Sequence, residues 1–396
     1  MSVKVFRRRW RGLRLGLALT GGCAALASCA APALVQIGTV ELVADDDHEG
    51  RRFGGVSGLD RDPRTDAWVM VSDDRSDPGA ARFYEAALVW RRDRLVAADV
   101  LRTHGFRNDA GVWSAAAGGH GTAIEAVDAE SIRLDPLNDD LLWSSEGDSV
   151  GGFNPSVRRA RRNGRGSGGV PLPDGMEFHR DGRRGALPNR TIEGLSWTPD
   201  GQGLWSAMEG PLAQDGPLSD ADRGALVRFT LQDRSGSVLT QVAYEVDPLI
   251  ASLPGRLADS GVSEILTLDD DRLLVLERAG LQTENGGFRY RARLYCADLT
   301  SGDEVADVDS LKRGATRPIT KRLVHDFAGG AVTHNFEGMA WGPRLSDGRL
   351  AIVFVSDNNF DGWRPTVLAA FALTDTPDAW ARDHCPSRTV ASQPSP

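Results

Sequence analysis

The chain has 396 residues, of which 41% are hydrophobic and 26% are charged, so its composition is that of a globular protein. Its 45 glycines and 20 prolines indicate many turns. The formal net charge of −9 argues against a nucleic-acid-binding protein, which would need a basic face.

The N-terminal residues predict an export signal. Six lysines and arginines precede an apolar run that ends at Ser28, and this run is too short for a spanning helix of about 20 residues. Leu26-Ala27-Ser28-Cys29 resembles a bacterial lipobox. We therefore expect a lipoprotein signal peptide over residues 1–28 and a lipid on Cys29, at the periplasmic face of an outer membrane. Ordinary cleavage, which would give a periplasmic or secreted protein, is the alternative.

One phrase recurs five times after this segment. Each copy has a Ser or Glu, a short apolar strand, a turn of Asp, Pro and Gly type, and a second, strongly apolar strand that ends on an acid. The near-continuous apolar character of the second strand predicts burial on both faces. The copies are SGLDRDPRTDAWVMVSDD, ESIRLDPLNDDLLWSSEGD, EGLSWTPDGQGLWSAMEG, SEILTLDDDRLLVLERAG and EGMAWGPRLSDGRLAIVFVSDNN.

Further alternating segments between the copies, such as ARFYEAALVW and GALVRFTL, raise the count to about four strands per repeat. This pattern predicts an all-β protein, a β-propeller of five or six four-stranded blades. The segments ALVQIGTVELVAD and TVLAAFALT are expected to pair, so that N- and C-terminal strands close the ring. A β-sandwich or two separate β domains is the alternative.

The predicted domain organisation follows from these segments. Residues 29–52 form an N-terminal linker and closing strand, residues 53–375 form the propeller, and residues 376–396 form a C-terminal tail.

Equivalent positions of the repeats lie close together in a propeller, because the blades surround one channel. The starts of the first strands then form one ring, and the ends of the second strands form another ring at the same face. The first ring contains Ser57, Glu130, Glu193, Ser263 and Glu337. The second ring contains Asp73, Asp74, Glu146, Glu209, Glu277 and Asp357.

Crowded carboxylates need a compensating cation, and Ca²⁺ accepts six to eight oxygen ligands in flexible geometry. Asp73, Asp74, Glu146, Glu209 and Asp357 are the predicted metal ligands, and calcium is the expected ion. Glu193, Glu337 and His104 are the predicted catalytic groups. The competing interpretation is that Glu193 and Glu337 lock neighbouring blades by accepting backbone N–H bonds.

Three arginines beside these acids are candidates for binding an anionic substrate group, since the guanidinium suits phosphate and carboxylate. They are Arg75, Arg82 and Arg278, and Asn358 could add a neutral oxygen. The metalloprotease motif HExxH and the phosphate-binding motif GxxxxGK[ST] are absent from the sequence.

Cys296 and Cys385 are the cysteines outside the export segment. In an exported protein they could form a disulfide, and two separate buried thiols fit the sequence equally well.

The motifs Gly-Gly-x-Ser-Gly-Leu, Ser-Asp-Asp-Arg, Ala-Arg-Phe-Tyr, Leu-Glu-Arg and Ser-Asp-Asn-Asn together resemble the phytase-like family called "esterase-like activity of phytase". The resemblance extends over roughly Phe53 to Leu373. It implies an exported, β-propeller-like protein, often a lipoprotein, that hydrolyses an ester or phosphoester.

The sequence thus predicts an exported, lipid-anchored hydrolase that acts on a small anionic or ester substrate, with Ca²⁺ as an assisting ion. Its contact with the membrane would be through the lipid alone, and nucleic acid is not an expected partner. A non-catalytic scaffold propeller and a metal-dependent, lactonase-like propeller are the alternatives.

Overall fold

The fold is seen in a computed structural model that describes residues 32–42, 53–75, 80–108, 111–112, 127–249, 257–329, 334–360 and 364–385. The predicted signal peptide and Cys29 lie outside these residues. Among the helices that the structure describes, none has the length and apolar character needed to cross a bilayer.

The described strands are, in chain order, β1 (Leu34–Leu42), β2 (Val56–Arg61), β3 (Trp68–Ser72), β4 (Arg82–Arg91), β5 (Arg94–Gly105), β6 (Arg107–Asn108), β7 (Gly111–Val112), β8 (Ala129–Leu134), β9 (Asp140–Ser145), β10 (Ser156–Arg161), β11 (Gly166–Val170), β12 (Ile192–Trp197), β13 (Gly203–Met208), β14 (Leu226–Asp233), β15 (Val238–Glu245), β16 (Ala258–Asp269), β17 (Arg272–Gln282), β18 (Phe288–Asp298), β19 (Thr320–Asp326), β20 (Phe336–Arg344), β21 (Leu350–Ser356) and β22 (Thr366–Leu373). A 3₁₀ turn spans Phe327–Gly329, and helix α1 spans Pro377–His384.

Twenty of these strands form five antiparallel four-stranded sheets, so the protein is a five-bladed β-propeller. Blade 1 is β2-β3-β4-β5, blade 2 is β8-β9-β10-β11, blade 3 is β12-β13-β14-β15, and blade 4 is β16-β17-β18-β19. Blade 5 is β20-β21-β22-β1, and its outer strand comes from the N-terminal side of the chain. The structure confirms the propeller and decides the blade number that the sequence left open.

The ring of blades closes around the channel, through the first strands, and at the outer edge of blade 5, through the pairing of β1 with β22. The first strands of the blades contact one another in the cyclic order β2, β8, β12, β16, β20 and back to β2. Strand β1 pairs with β22 from Leu34 opposite Leu373 to Leu42 opposite Thr366, which confirms the predicted closing pair. Strands β3, β9 and β13 are buried along their whole length, as their apolar sequences predicted.

Small residues let the first strands approach the channel axis closely. A Cβ atom on Gly58 would lie 2.6 Å from the Glu130 carbonyl oxygen, and one on Gly338 would lie 2.7 Å from that of Ser57. At Gly194 the clash would be with the Ile265 backbone nitrogen, at 2.9 Å. The Ser-Gly and Glu-Gly pairs of the repeated phrase are therefore explained by packing around the axis.

Arg133 occupies the axis that these strands surround. The Nε, Nη1 and Nη2 atoms of its guanidinium group donate to one carbonyl oxygen from each blade, at 2.6–3.3 Å. The acceptors are Leu59, Ile132, Leu195, Ile265 and Met339, which hold the equivalent position in the five first strands. Glu264 balances the charge at 2.7 Å, and both side chains are buried. The five N–H donors of arginine match the fivefold ring.

Helix α1 and a disulfide fasten the closing strand. Trp380 donates its indole N–H to the Ala33 carbonyl oxygen at 2.6 Å, next to the start of β1. Cys385, directly after α1, is bonded to Cys296 on β18. Part of the predicted C-terminal tail is therefore an ordered helix, and the disulfide is the state that the protein adopts.

We expect Arg133→Met to lower the free energy of unfolding by about 3–5 kcal/mol. The substitution leaves the buried Glu264 carboxylate without its ion pair and the inward-facing carbonyl groups without hydrogen-bond donors. Arg133→Lys keeps the charge but offers three donors, so its loss should be intermediate. Urea unfolding measures both variants. The control is Arg184→Met, whose ion pair with Asp309 joins two exposed side chains and should contribute little. Equal stability of Arg133→Met and the control would contradict this account of the axis.

The double substitution Cys296→Ala/Cys385→Ala should cost about 2–4 kcal/mol, because the bond closes a loop with a sequence separation of 89 residues. Unfolding of oxidised and reduced wild-type protein measures the same difference without a substitution. Alkylation and mass analysis of the untreated protein provide the check, since two free thiols would show that the bond does not form.

Candidate metal centre

In four of the five blades, the residue after the second strand and the residue before the first strand meet at one end of the channel. The residue after the second strand donates its N–H to the carbonyl oxygen of the residue before the first strand, as Asp73 does to Gly55 and Glu146 does to Asp128, at 2.7 and 2.8 Å. Glu209 and Asp357 make the same bond to Thr191 and Asn335. In blade 4, β16 and β17 continue to pair at this end, with Gly261 opposite Arg278. The antiparallel pairing of the two strands thus brings five pairs of chain segments to the same end.

Eight carboxylates converge there, and we call this group the acidic mouth. Its members are Asp73, Asp128, Glu130, Glu146, Glu193, Glu209, Glu337 and Asp357. Three groups within it have ligand oxygens that all lie within 4.8 Å of one another. These groups are Asp73 with Glu337 and Asp357, Asp128 with Glu130 and Glu146, and Glu146 with Glu193 and Glu209.

Three arginines in the described part of the chain form ion pairs with this group. Arg75 contacts Asp128 at 3.0 Å, and its side chain is 64% exposed. Arg190 contacts Glu209 at 3.0 Å, and Arg278 lies between Glu209 and Glu337, at 3.2 Å from each. Fully ionised, eight carboxylates and three guanidinium groups would leave a large excess of negative charge.

The pKa values reflect this excess. Burial and the neighbouring carboxylates raise the pKa of Glu146 to about 7 and that of Glu209 to about 8, although nearby arginines act in the opposite direction. The pKa of Asp128 is raised to about 6, chiefly by burial. Burial, followed by the charges of Glu209 and Glu146, raises the pKa of Glu193 well above its ordinary value. Without a further positive charge, the acidic mouth holds protons near neutral pH.

The acidic mouth also contains oxygens that no N–H or O–H reaches. Asp128 Oδ1 and Asn335 Oδ1 are buried and have no hydrogen-bond partner in the described structure. The Asn335 amide donates to Glu337 at 2.8 Å, which leaves its carbonyl oxygen available. Two oxygens on opposite sides of a Ca²⁺ ion lie about 5 Å apart, which matches the spacing of the three groups. The residues present therefore fit a hard divalent cation.

Glycines make room for two of these carboxylates. A Cβ atom on Gly55, whose φ is +61°, would lie 2.1 Å from Asp73 Oδ1. A Cβ atom on Gly261 would lie 2.4 Å from Glu209 Cγ. Both glycines stand two residues before the start of the repeated phrase, where a side chain would fill the acidic mouth.

The prediction for the second ring is wrong in blade 4, where it names a residue one position too early. Val262 pairs with Glu277, as Ile192 pairs with Met208 in blade 3, so Arg278 is the residue equivalent to Glu209. Glu277 points elsewhere and accepts a bond from the Tyr244 hydroxyl at 2.6 Å, beside Lys321. The sequence ERA places acid and base side by side, and only the pairing register decides which one faces the channel.

Three predicted site residues lie outside the acidic mouth. Asp74 and Arg82 form a buried ion pair in blade 1, at 2.5 Å, so neither is placed to bind metal or substrate. His104 lies on the outer strand β5, 3.0 Å from Glu85.

Asn358 lies close to the acidic mouth but its side chain is occupied by the backbone. Its Oδ1 accepts the N–H groups of Gly55 and Phe360, each at 3.0 Å. These bonds link the end of blade 5 to the start of blade 1, so Asn358 joins blades rather than facing a substrate.

Several residues of the site could not be recognised from the repeat. Asp128 and Arg190 stand two and three residues before the repeated phrases of their blades. Asp128, Arg75 and Glu146 line a cavity of about 330 Å³ beside the acidic mouth, together with Phe178 and Ser149.

Ser149 belongs to a Gly-Asp-Ser-Val-Gly pattern, which has the Gly-x-Ser-x-Gly spacing of a nucleophile elbow. It lies in a tight turn in which Asp148 and Phe153 exchange two backbone hydrogen bonds, at 2.8 Å. A nucleophile elbow of that pattern leads from a strand into a helix, so this turn is not one.

The fold and the acidic mouth define a five-bladed propeller with a candidate cation centre on its axis. Residues 51–360 match the phytase-like family described as "esterase-like activity of phytase". This chain belongs to that family, as the resemblance of its motifs predicted. No curated protein matches the chain.

Solved structures with a similar course of the chain have low sequence identity to it. The catalytic domain of the Coprinopsis cinerea GH62 alpha-L-arabinofuranosidase has a TM-score of 0.44 and 10% identity, covering 87% of this chain and 98% of that one. The Podospora anserina alpha-L-arabinofuranosidase PaAbf62A, in complex with cellotriose, has a TM-score of 0.41 and 10% identity, and the match covers 86% of this chain and 98% of that one. MPT-4, a mannose phosphorylase from Leishmania mexicana in complex with phosphate ion, has a TM-score of 0.40 and 10% identity, and the match covers 86% of this chain and 88% of that one. Likenesses this weak carry no statement about activity.

The pKa values predict how stability depends on pH. Glu146 and Glu209 bind protons more tightly in the folded state than their ordinary value of 4.5 allows, so folding loses stability as pH rises through about 7 and about 8. In EDTA the melting temperature should fall between about pH 5 and pH 8. Added Ca²⁺ should remove this fall, since it requires the ionised carboxylates.

The control for this titration is Glu146→Gln/Glu209→Gln, which should show a shallower fall in EDTA. Melting curves in EDTA that stay level or rise across this range would contradict the description of the acidic mouth.

Proposed function

We propose that this protein is an exported hydrolase that cleaves a phosphoester or ester at the acidic mouth, with the help of a divalent cation. Ca²⁺ is the first candidate for this cation. The observation that carries the proposal is the set of three carboxylate groups, two of which share Glu146, with too few arginines to balance their charge. Membership of the phytase-like family, whose description names esterase-like activity, supports the same class of reaction.

The chain offers two sets of cation ligands. Asp73, Glu337 and Asp357 form one set, with the free Asn335 carbonyl oxygen beside it. Glu146, Glu193 and Glu209 form the other. When bound, a divalent cation supplies Lewis-acid chemistry, because it polarises the ester oxygen and lowers the pKa of water.

Glu193 is best suited to a ligand role, since its carboxylate makes no hydrogen bond or ion pair among the described residues and is only 6% exposed. Glu337 is held by Asn335 and Arg278, which fix its orientation. Both residues therefore act in this proposal as cation ligands rather than as acid or base.

Asp128 is our candidate for the general acid and base. It lines the cavity beside the acidic mouth, and its pKa of about 6 lies near the pH at which proton transfer in both directions is efficient. Arg75 contacts Asp128 and is exposed at the same cavity, so it would orient the anionic group of the substrate. Arg278 is enclosed by two carboxylates and would restrain ligands instead.

The proposal includes export and a lipid anchor on Cys29. The sequence of residues 1–29 supports it, and the Cys296–Cys385 disulfide is of the kind that persists in oxidising compartments such as the periplasm. Its partners would be a small anionic or ester substrate and, through the lipid alone, the membrane.

The test is hydrolysis of p-nitrophenyl phosphate and p-nitrophenyl acetate by the purified chain, each with Ca²⁺ and with EDTA. Asp357→Asn and Glu193→Gln should each lower kcat by about a hundredfold or more with the better substrate. Asp139→Asn is the matched control and should keep full activity, because Asp139 is exposed in the turn between β8 and β9, at the end of these strands opposite the acidic mouth.

A panel of lactones in the same assay separates this proposal from a lactonase-like enzyme, which would use the same cation. Turnover that is negligible in every condition would reject the hydrolase. Calcium binding that persists without turnover would favour the scaffold instead.

A further inference from the structure

Blade 4 extends past the acidic mouth. Strands β16 and β17 continue to pair beyond Gly261 and Arg278, as far as Ala258 opposite Leu281. Strand β18 runs beside this extension, with Tyr290 opposite Gly280. In the other four blades, the described pairing of the first two strands ends one residue before the acid of the second ring. Blade 4 therefore forms a wall on one side of the acidic mouth.

Tyr290 is on the face of this wall that also carries Arg278. Residues that are opposite each other in an antiparallel pair, and residues two apart on one strand, have their side chains on the same face of a sheet. Gly280 stands opposite Tyr290 and two residues after Arg278, whose guanidinium lies 3.2 Å from Glu209 and from Glu337. The Tyr290 side chain is thus placed beside the acidic mouth.

The Tyr290 hydroxyl is connected to Asp357, a member of the first cation set. Asn359 donates its side-chain amide to the hydroxyl at 3.4 Å, and its backbone N–H to Asp357 Oδ1 at 2.7 Å. Asn359 and Phe360 both have a φ of +50°, a conformation that is rare for a residue like phenylalanine. Backbone strain of this kind is concentrated at functional sites.

The Tyr290 ring is held in place, while the proton of its hydroxyl has no acceptor among the described residues. The Arg364 guanidinium carbon lies 5.8 Å from the centre of the ring, and the Phe288 ring is stacked at 6.1 Å. The hydroxyl accepts the bond from Asn359 and donates to none of the described residues. Since the side chain is partly exposed, this donor is accessible to a substrate in the acidic mouth.

The surroundings of Tyr290 favour its protonated form. Burial raises the pKa of the phenol, and the charges of Glu337 and Asp357 raise it further, although Arg278 acts in the opposite direction. A protonated phenol is a neutral hydrogen-bond donor. It can therefore face a substrate oxygen without adding another negative charge to the acidic mouth.

We infer that Tyr290 contacts the substrate, and that its hydroxyl donates a hydrogen bond to the oxygen that gains negative charge when water attacks the ester or phosphoester. This inference rests on the proposed function. Blade 5 lies between blade 4 and blade 1, so Tyr290 and Arg75 stand on either side of the set formed by Asp73, Glu337 and Asp357. A donor aimed at the developing charge stabilises the transition state more than the bound substrate.

The experiment compares Tyr290→Phe with the wild type in the hydrolysis of p-nitrophenyl phosphate and p-nitrophenyl acetate in saturating Ca²⁺. Phenylalanine keeps the ring and removes the hydroxyl. We expect kcat with the better substrate to fall roughly tenfold or more, and KM to change less than kcat. Tyr295→Phe is the matched control and should keep its kcat, because it removes a hydroxyl of the same strand that donates to Asp247, outside the acidic mouth.

Asn359→Gly tests whether Tyr290 only ties blade 4 to blade 5. It removes the bond to the hydroxyl but keeps the hydroxyl itself, and glycine accommodates the φ of +50°. We expect this variant to lose much less activity than Tyr290→Phe. Equal losses of kcat in the two variants, or an undiminished kcat in Tyr290→Phe, would overturn the inference.

Calorimetric titration with methylphosphonate in saturating Ca²⁺ distinguishes a failure of this inference from a failure of the proposed function. This ion has tetrahedral oxygens like those of a phosphate product and of an attacked ester. Where the wild type hydrolyses either substrate, kcat decides the role of Tyr290. Where it hydrolyses neither, the proposed function fails and binding decides. Roughly tenfold weaker binding by Tyr290→Phe then supports the contact, whereas equal affinity or no binding to the wild type rejects it.

Discussion

The structure depends on how five inward-facing carbonyl groups are satisfied at the channel axis. Backbone groups buried without partners would each cost free energy comparable to a lost hydrogen bond. Arg133 meets all five with one side chain, and Glu264 compensates its charge. The small residues at Gly58, Gly194 and Gly338 allow the strands to come close enough for these bonds.

At the acidic mouth, the acid that joins two blades is not one of the two for which blade locking was the alternative. Glu146 joins blades, because it accepts the Thr191 N–H at 2.6 Å. Glu193 and Glu337, for which blade locking was the alternative, accept no backbone N–H across a blade interface in the described structure. A protein that needed only blade locking would not require a buried, unbonded carboxylate at Glu193, whereas a cation site would.

The repeat predicted the fold, the closing strand and most of the acidic mouth, because a propeller places equivalent residues together. It failed where one residue decides orientation, as at Glu277 and Arg278, since the sequence does not reveal a register shift. The sequence does not single out Arg133, because its role appears only when five strands surround it. Asp74 and Arg82 were misjudged because adjacent acids cannot be separated into channel-facing and core-facing residues before the strands are paired.

The central claim is that the acidic mouth is a cation site, and diffraction tests it most directly. Crystals of the full chain grown with Mn²⁺ in place of Ca²⁺ would show the ion by its anomalous signal. The account predicts a peak bounded by Glu146, Glu193 and Glu209 or by Asp73, Glu337 and Asp357. An acidic mouth without a peak, in crystals where Mn²⁺ is bound only at surface acids, would contradict it.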